Sequence, residues 1–347
     1  MIAPNDKTPP PDRVLIIKPS SLGDVITAVP VLRGLRRTFP AAHLAWLVDD
    51  RFADVIAHDT DLDEAIVYQR SWLTHPRRLA KLMSRLRAGR FAWTIDLQGL
   101  MRSAMLALAT GSGLRAGWAS PREPLARPAY NRRLRPTAEH VVDQNIQLAR
   151  SLGIDARGED FTLQVSDRGS EFAGRTCDEW GLPPGDIIVA VPPTRWTTKQ
   201  YPVRHWRRVV AELSLSRPVV VLGSPSAKER KLCGAIAANQ SPRVIDLAGS
   251  TTVDEMVGII AASAVVVCAD SAAQYIAPAV GVPVVSIAGP TRPGRTGPYR
   301  LGETVAAEIP CRGCLRRVCS HTSCMQLIEP ERVIDAVRRA VAGTGVS

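Results

Sequence analysis

Aromatic residues make up only 5% of the chain and are not interleaved with its basic residues. Stacking platforms for single-stranded nucleic acid are therefore poorly supported. No long apolar segment is present either. The longest uncharged apolar run, 256–269, is too short to span a bilayer. Residues 1–12 are polar and proline-rich and lack the apolar core of a signal peptide. The expectation is a cytoplasmic protein, in which seven cysteines stay reduced. Three of them, Cys177, Cys233 and Cys268, are isolated and read as small core residues. Acidic residues are scarce in one region. Residues 70–135 hold fourteen Lys and Arg against only Asp96 and Glu123. That stretch is either a solvated basic surface or an anion-binding face.

What is present fits a soluble protein of about two domains: 347 residues, 45% apolar, with a mean hydropathy of -0.01. The net charge of +11 and pI of about 9.7 predict an anionic partner: nucleic acid, an anionic membrane surface or a phosphorylated substrate.

Apolar runs at 14–18, 43–48, 65–68 and 93–97 read as buried parallel strands, with helical spacing at 24–38 and 76–88. A second series of strands follows at 187–191, 219–222, 244–247, 264–268 and 284–287, with helices at 204–213, 227–237, 253–262 and 271–280. This alternation predicts an α/β protein built from parallel βαβ units made twice. The seam falls between 153 and 186, a stretch rich in Gly and Pro, and a final helix is expected at 330–342. The expected architecture is two facing Rossmann-like domains with the site in the cleft.

In such sheets ligands bind at the carboxyl ends of strands. The loop after the first strand, Lys18-Pro19-Ser20-Ser21-Leu22-Gly23-Asp24, presents hydroxyls, backbone N–H groups and one carboxylate. It is not a GxGxxG fingerprint and lacks the Gly-Lys-Ser/Thr of a P-loop, which argues against a dinucleotide oxidoreductase or an NTPase. Asp24 is either a first-turn acid that complements the helix dipole or a general base. The corresponding loop of the second domain holds Thr194, Arg195, Thr197, Thr198 and Lys199 just before a helix, a donor set suited to a diphosphate. Asp270-Ser271 follows a strand and starts a helix; Asp270 either accepts from sugar hydroxyls or caps that helix. Gly289-Pro290-Thr291-Arg292 is a shaped loop after the next strand. Cys311, Cys314, Cys319 and Cys324, with His321 among them, have the density of a metal knot but not the spacing of a common finger. Two readings stay open there, a structural zinc and ordinary reduced thiols.

Taken together these residues resemble glycosyltransferase family 9, the bacterial ADP-heptose:lipopolysaccharide heptosyltransferases. The resemblance runs from about Arg13 to the last helix. Its marks are Lys18 to Asp24; Asp96-Leu97-Gln98-Gly99-Leu100-Met101-Arg102-Ser103; and Arg122-Glu123-Pro124-Leu125-Ala126 with Tyr130-Asn131-Arg132. These three are closer to the heptosyltransferase I branch than to heptosyltransferase II. Thr194-Arg195, Lys199-Gln200-Tyr201-Pro202 and Gly289-Pro290-Thr291 resemble the family's donor motifs.

The resemblance implies a GT-B fold. Its parts are an acceptor domain at 13–165, a donor domain at 186–328 and a last helix, 329–347, returning to the first domain. It implies inverting transfer of heptose from ADP-L-glycero-D-manno-heptose to Kdo-lipid A, with Asp24 as base. It places the donor on Thr194, Arg195, Lys199, Glu229, Asp270, Ser271, Pro290 and Thr291. The acceptor falls to Ser20, Ser21, Gly23, Arg70, Gln98 and Arg122. No cofactor is required, no nucleic acid is bound, and the enzyme docks on the anionic inner face of the inner membrane. The sequence departs from the family where Gly and then His usually follow Asp270-Ser271; Ala272 and Tyr275 stand there instead. That leaves another nucleotide-sugar glycosyltransferase, or a non-catalytic sugar-nucleotide or lipid A binding protein, as the competing readings.

Overall fold

Val, Leu and Ile make up four of the five residues of Arg13–Ile17, and this strand and His43–Asp49 are buried on both faces, as parallel strands between helical layers must be. The computed structural model describes residues 10–343; the outer ends of the expected lead-in and last segment, 1–9 and 344–347, lie outside the described residues. The chain divides into two compact units, Met1–Gln164 and Val165–Ser347.

In the first unit, β1 (Arg13–Ile17), β2 (His43–Asp49), β3 (Glu64–Tyr68), β4 (Trp93–Asp96), β5 (Leu114–Trp118) and β6 (Arg132–Leu134) form one sheet. Its order is β3-β2-β1-β4-β5-β6, with every pair parallel. The helices are α1 (Leu22–Ile26), α2 (Val29–Thr38), α3 (Pro76–Ala88), α4 (Met101–Thr110) and α5 (Val141–Arg150). The single helix expected at 24–38 is two. Pro30 has no N–H to donate to the Ile26 carbonyl, and its ring disfavours a continuous turn before it. The Thr27 carbonyl freed at this break accepts from Asn145 Nδ2 of α5 at 2.9 Å, so the interruption is satisfied inside the core.

The second unit repeats the plan. Its strands are β7 (Ile187–Val191), β8 (Val219–Val221), β9 (Val244–Asp246), β10 (Ser263–Ala269), β11 (Val284–Ala288) and β12 (Gly302–Ala306), in the order β12-β11-β10-β7-β8-β9. Around them lie α6 (Asp167–Trp180), α7 (Val203–Ser214), α8 (Ala227–Ala237), α9 (Val253–Ala261), α10 (Ala273–Ala279), α11 (Pro293–Thr296), α12 (Ser323–Gln326) and α13 (Pro330–Gly343). Counted from its own first strand, each sheet is 3-2-1-4-5-6. The strand order therefore reverses between β1 and β4 in one unit and between β7 and β10 in the other. Loops leaving those strands diverge there and open a crevice.

The boundary between the units, Gln164/Val165, falls inside the expected seam. The Gly-rich seam at 153–186 contains a helix, α6, that belongs to the second unit and packs on α9. Its glycine serves close approach rather than a linker. A Cβ on Gly258 would fall on the Gly169 carbonyl oxygen, and one on Gly169 would lie 2.9 Å from the Asp254 oxygen. Gly258→Ala is expected to cost about 1–3 kcal/mol through overpacking, more than the about 1 kcal/mol that Ala gains over Gly in a helix. Denaturant unfolding should show a lower midpoint; an unchanged or raised midpoint would remove this account of the α6–α9 contact.

The last helix, expected at 330–342, is found at Pro330–Gly343. The buried face of α13, Val333, Ile334, Ala336 and Val337, joins the second unit's own core with α7, β10 and β11. Arg338 and Arg339 pair with Glu212 and Glu303 of the same unit at 2.9 and 2.8 Å. An apolar face of that size finds its cover on the nearest exposed sheet face.

Candidate active site

At the β1/β4 reversal of the first unit, the loops after the two strands are tied together. The Lys18 ammonium is buried and donates to the Leu97 carbonyl at 2.7 Å. Burial holds its pKa below the usual lysine range, against the opposing pull of Asp24 and Asp96. The Ser20 N–H donates to Gln98 Oε1 at 3.4 Å. Asp24 sits in the first turn of α1. Its Oδ2 accepts from the N–H and the hydroxyl of Ser21 at 2.9 and 2.8 Å, closing a capping box. Its Oδ1 lies 3.9 Å from the Lys18 ammonium, and the side chain keeps 44% exposure. The cap and the base are thus not alternatives: one oxygen makes the cap and the carboxylate stays reachable.

Beneath this loop Asp96 is fully buried. Its Oδ1 accepts from the N–H groups of Gln98 and Gly99 at 2.8 and 3.2 Å, and its Oδ2 from the Tyr130 hydroxyl at 2.6 Å. Burial pushes the Asp96 carboxyl up and, with Asp96 beside it, the Tyr130 phenol too. Asp96 therefore shapes the β4 loop and presents no face to a ligand. Gly99 carries a positive φ of 67°, and a Cβ there would meet the Trp118 ring at 2.8 Å; Glu123 N–H then donates to its carbonyl at 3.2 Å. This brings Arg122, exposed, close enough to depress Lys18 further. Gly23 is buried, with its carbonyl accepting from Thr27. Arg70 stands exposed beyond β3, beside Tyr68 with Arg102. Lys18 was visible in the sequence only as part of a motif. A lysine ending a run of buried aliphatics was the signal for its role.

At the β7/β10 reversal of the second unit, Lys199 and Asp270 form an ion pair of 3.0 Å, with side chains 14% and 8% exposed. The same Asp270 oxygen accepts from the Thr291 hydroxyl, and its other oxygen from Gln274 Nε2 at 3.0 Å. Ser286 in turn donates to Gln274 Oε1 at 2.8 Å. Asp270 thus holds Lys199 and the Thr291 loop together. Two expected phosphate donors are also engaged: Thr291 gives its proton to Asp270, and Thr194 gives its own to the Trp196 carbonyl at 2.9 Å. The Ser271 hydroxyl oxygen is buried with no hydrogen-bond partner among the described residues. Lys199 also lies 4.5 Å over the Trp196 ring, which Arg317 approaches at 4.7 Å. Arg195 is exposed at the edge of this loop. Glu229, in the first turn of α8, accepts from the Ser224 N–H at 2.8 Å and so orders the β8 loop. At the two positions that depart from the family, Ala272 has ordinary helical φ and ψ, and Tyr275 donates its hydroxyl to the Thr296 carbonyl at 2.7 Å.

The cysteine segment belongs to this same region. Leu315 and Gly313 N–H groups donate to the carbonyls of Pro290 and Gly289 at 2.7 and 3.2 Å, and Thr198 donates to the Arg316 carbonyl at 2.9 Å. The strap thus fastens the Pro290-Thr291 loop and the Lys199 loop together. Among the described residues no three or more Cys, His, Asp or Glu are grouped to hold an ion. Cys311 and Cys314 are exposed, whereas Cys324 is buried and faces Gly289, where a Cβ would meet its sulfur at 2.8 Å. Burial first, then the other three thiols, raise the Cys324 pKa.

Comparison with known proteins agrees with this geometry. The model of glycosyltransferase family 9 (heptosyltransferase) matches residues 79–324. Lipopolysaccharide heptosyltransferase 1 of Pseudomonas aeruginosa is 32% identical over 328 residues, covering 89% of this chain and 88% of that protein. Its Escherichia coli K12 counterpart is 25% identical, covering 84% and 92%. Among solved structures, a family 9 glycosyltransferase of Veillonella parvula superposes with a TM-score of 0.80 at 20% identity, covering 96% and 97% of the two chains. E. coli heptosyltransferase WaaC with ADP gives 0.74 at 23% identity, covering 94% and 99%. At these identities the structural likeness establishes the fold.

Proposed function

The chain belongs to glycosyltransferase family 9, and from that premise we propose that it transfers heptose from ADP-L-glycero-D-manno-heptose to Kdo-lipid A, with inversion, in building the lipopolysaccharide inner core. Curated relatives along most of its length are lipopolysaccharide heptosyltransferases 1, which supports this donor and acceptor. The observation that carries the chemistry is Asp24, a reachable carboxylate whose position is set by a cap made with only one of its oxygens.

In this reading the acceptor hydroxyl of Kdo attacks the anomeric carbon as its proton passes to Asp24. The bond from that carbon to the β-phosphate oxygen breaks, and ADP leaves. Negative charge gathers on the β-phosphate, where Lys199 meets it and the Ser271 hydroxyl donates. Asp270 is a positioning residue: it holds Lys199 in place until the more highly charged phosphate competes for the ammonium. Lys18, with Arg122 near it, supplies positive charge for the Kdo carboxylate. The charge of Lys199 takes the part a divalent cation plays elsewhere, so no metal is required. No described helix is long and apolar enough to cross a membrane, and the acceptor is reached by peripheral docking from the cytoplasmic side.

The test is ADP release from ADP-heptose with and without Kdo-lipid A, repeated in EDTA. Release that depends on the acceptor and survives chelation supports the proposal. If chelation stops turnover and Mg²⁺ restores it, the electrostatic account of the leaving group is wrong. A specific observation favours screening other ADP- and nucleotide-sugars beside it: Tyr275 spends its hydroxyl on Thr296, where the family usually has an imidazole. A different sugar turned over faster would replace heptose in this reading.

A further inference from the structure

We propose that the α3–α4 face of the first unit is a lipid-insertion surface, with a methionine-lined cavity that takes hydrocarbon and a ring of cations that takes anionic headgroups. The proposal deepens the reading of the acceptor as a membrane glycolipid and rests on it for its purpose, though not for its test.

Helix α4 exposes Met101, Met105 and Leu108, spaced i, i+4 and i+7, so they form one apolar stripe on a helix whose other face is in the core. Met83 of α3 is exposed beside it, and Leu125 is 74% exposed in the following segment. A buried stripe would be ordinary core; this one faces solvent. Between the helices lies a cavity of about 330 Å³ lined by Leu79, Met83, Met101, Met105 and Leu106, with Arg102 and Glu123 as its polar members. Methionine is flexible and polarisable, a side chain suited to irregular hydrocarbon. The Arg102 Nε is buried without a hydrogen-bond partner among the described residues. Glu123 is already engaged, accepting from the Met101 N–H at 2.6 Å.

Charge selects the occupant. Helix α3 carries Arg77, Arg78, Lys81, Arg85 and Arg87, all exposed, and no acid. Among the described residues, Arg85 alone of these has a close acidic partner, Glu64 at 2.8 Å. Across 70–135 the acids are Asp96, which is buried, and Glu123. Apolar side chains flanked by basic ones on exposed helices are the pattern of interfacial binding, in which cations meet anionic lipid and apolar groups enter the acyl boundary. An apolar protein partner or a second copy of this chain would bring no countercharge for these arginines.

The experiment is flotation of the full chain with phosphatidylcholine vesicles, with and without phosphatidylglycerol as a major component. Wild type is expected to bind the anionic vesicles and not the neutral ones. Arg77→Ser/Arg78→Ser/Lys81→Ser should weaken binding about 10²-fold, since each cation contributes separately near the surface. Met83→Glu/Met105→Glu should weaken it roughly tenfold or more. Both variants should melt like wild type and turn over a deacylated, soluble acceptor normally. Absence of wild-type binding overturns the proposal. Binding that ignores the Met substitutions overturns the insertion, and loss of soluble-acceptor turnover would give this face to the acceptor sugar instead. A dimer broken by Met83→Glu/Met105→Glu, without vesicle binding, would assign the face to a second copy. Vesicle binding that holds while heptose transfer is absent overturns the proposed reaction and leaves this surface standing.

Discussion

Asp24→Ala is expected to lower transfer by about 10²–10⁴-fold while ADP-heptose still binds, the usual scale for losing a positioned general base. The substitution also removes the acceptor of the Ser21 N–H and hydroxyl, and loss of a helix cap costs about 0.5–2 kcal/mol. Asp24→Asn separates the two roles. Its side-chain oxygen can still accept from Ser21, so α1 keeps its cap, but an amide cannot take the acceptor's proton. Both variants should therefore fall to a similar rate, with Asn closer to wild type in melting temperature. Rates near wild type for Asn would take Asp24 out of the chemistry. An inactive Ala variant beside an active Asn variant would make Asp24 a loop anchor only.

Lys199→Ala should raise the donor KM and lower kcat together, because Lys199 meets phosphate charge that is present in the ground state and grows in the transition state. Removing one well-placed donor of this kind costs roughly 10²–10³-fold in kcat. A complication follows from the ion pair. Asp270 is 8% exposed, and without Lys199 it keeps only the bonds from Thr291 and Gln274. Breaking a buried pair by removing one partner destabilises a protein by about 3–5 kcal/mol, so a weak Lys199→Ala enzyme could simply be less folded. Lys199→Ala/Asp270→Asn removes both charges. It should recover melting temperature and not activity. Recovery of activity with stability would show that Lys199 serves the fold alone. An unchanged donor KM and kcat in the single variant would remove its phosphate role.

Much of both units was legible as pattern. Strands at 187–191 and 219–222 and the helix at 227–237 are found at Ile187–Val191, Val219–Val221 and Ala227–Ala237, since buried aliphatic runs and helical spacing are short-range signals. Two of the four edge strands were not legible: β6 is three residues, Arg-Arg-Leu, and β12 begins Gly-Glu-Thr, with little apolar content to mark either. Helix α6 was hidden by its glycines, and the reason for one of them, Gly169, lies in α9, against Asp254 and Gly258. At the site, the loops were found, but the state of their side chains was not. Thr194 and Thr291 read as donors to a phosphate and Asp270 as a sugar acceptor or a helix cap, and each is bonded within the protein.

By itself the sequence determined that two parallel α/β sheets form, which loops leave the carboxyl ends of their strands, and which reactive residues those loops carry. Periodicity and turn chemistry are local, and a single chain segment expresses them. Only the tertiary structure decided which loops meet. β1 pairs with β4 and β7 with β10, and that crossover sets the Lys18 ammonium on a carbonyl 79 residues away and Lys199 on Asp270. It likewise decided that α13 closes the second core and that α4 leaves Met101, Met105 and Leu108 uncovered. An apolar stripe has the same spacing whether it is buried or bare; the elements packed around it, drawn from distant parts of the chain, determine which it is.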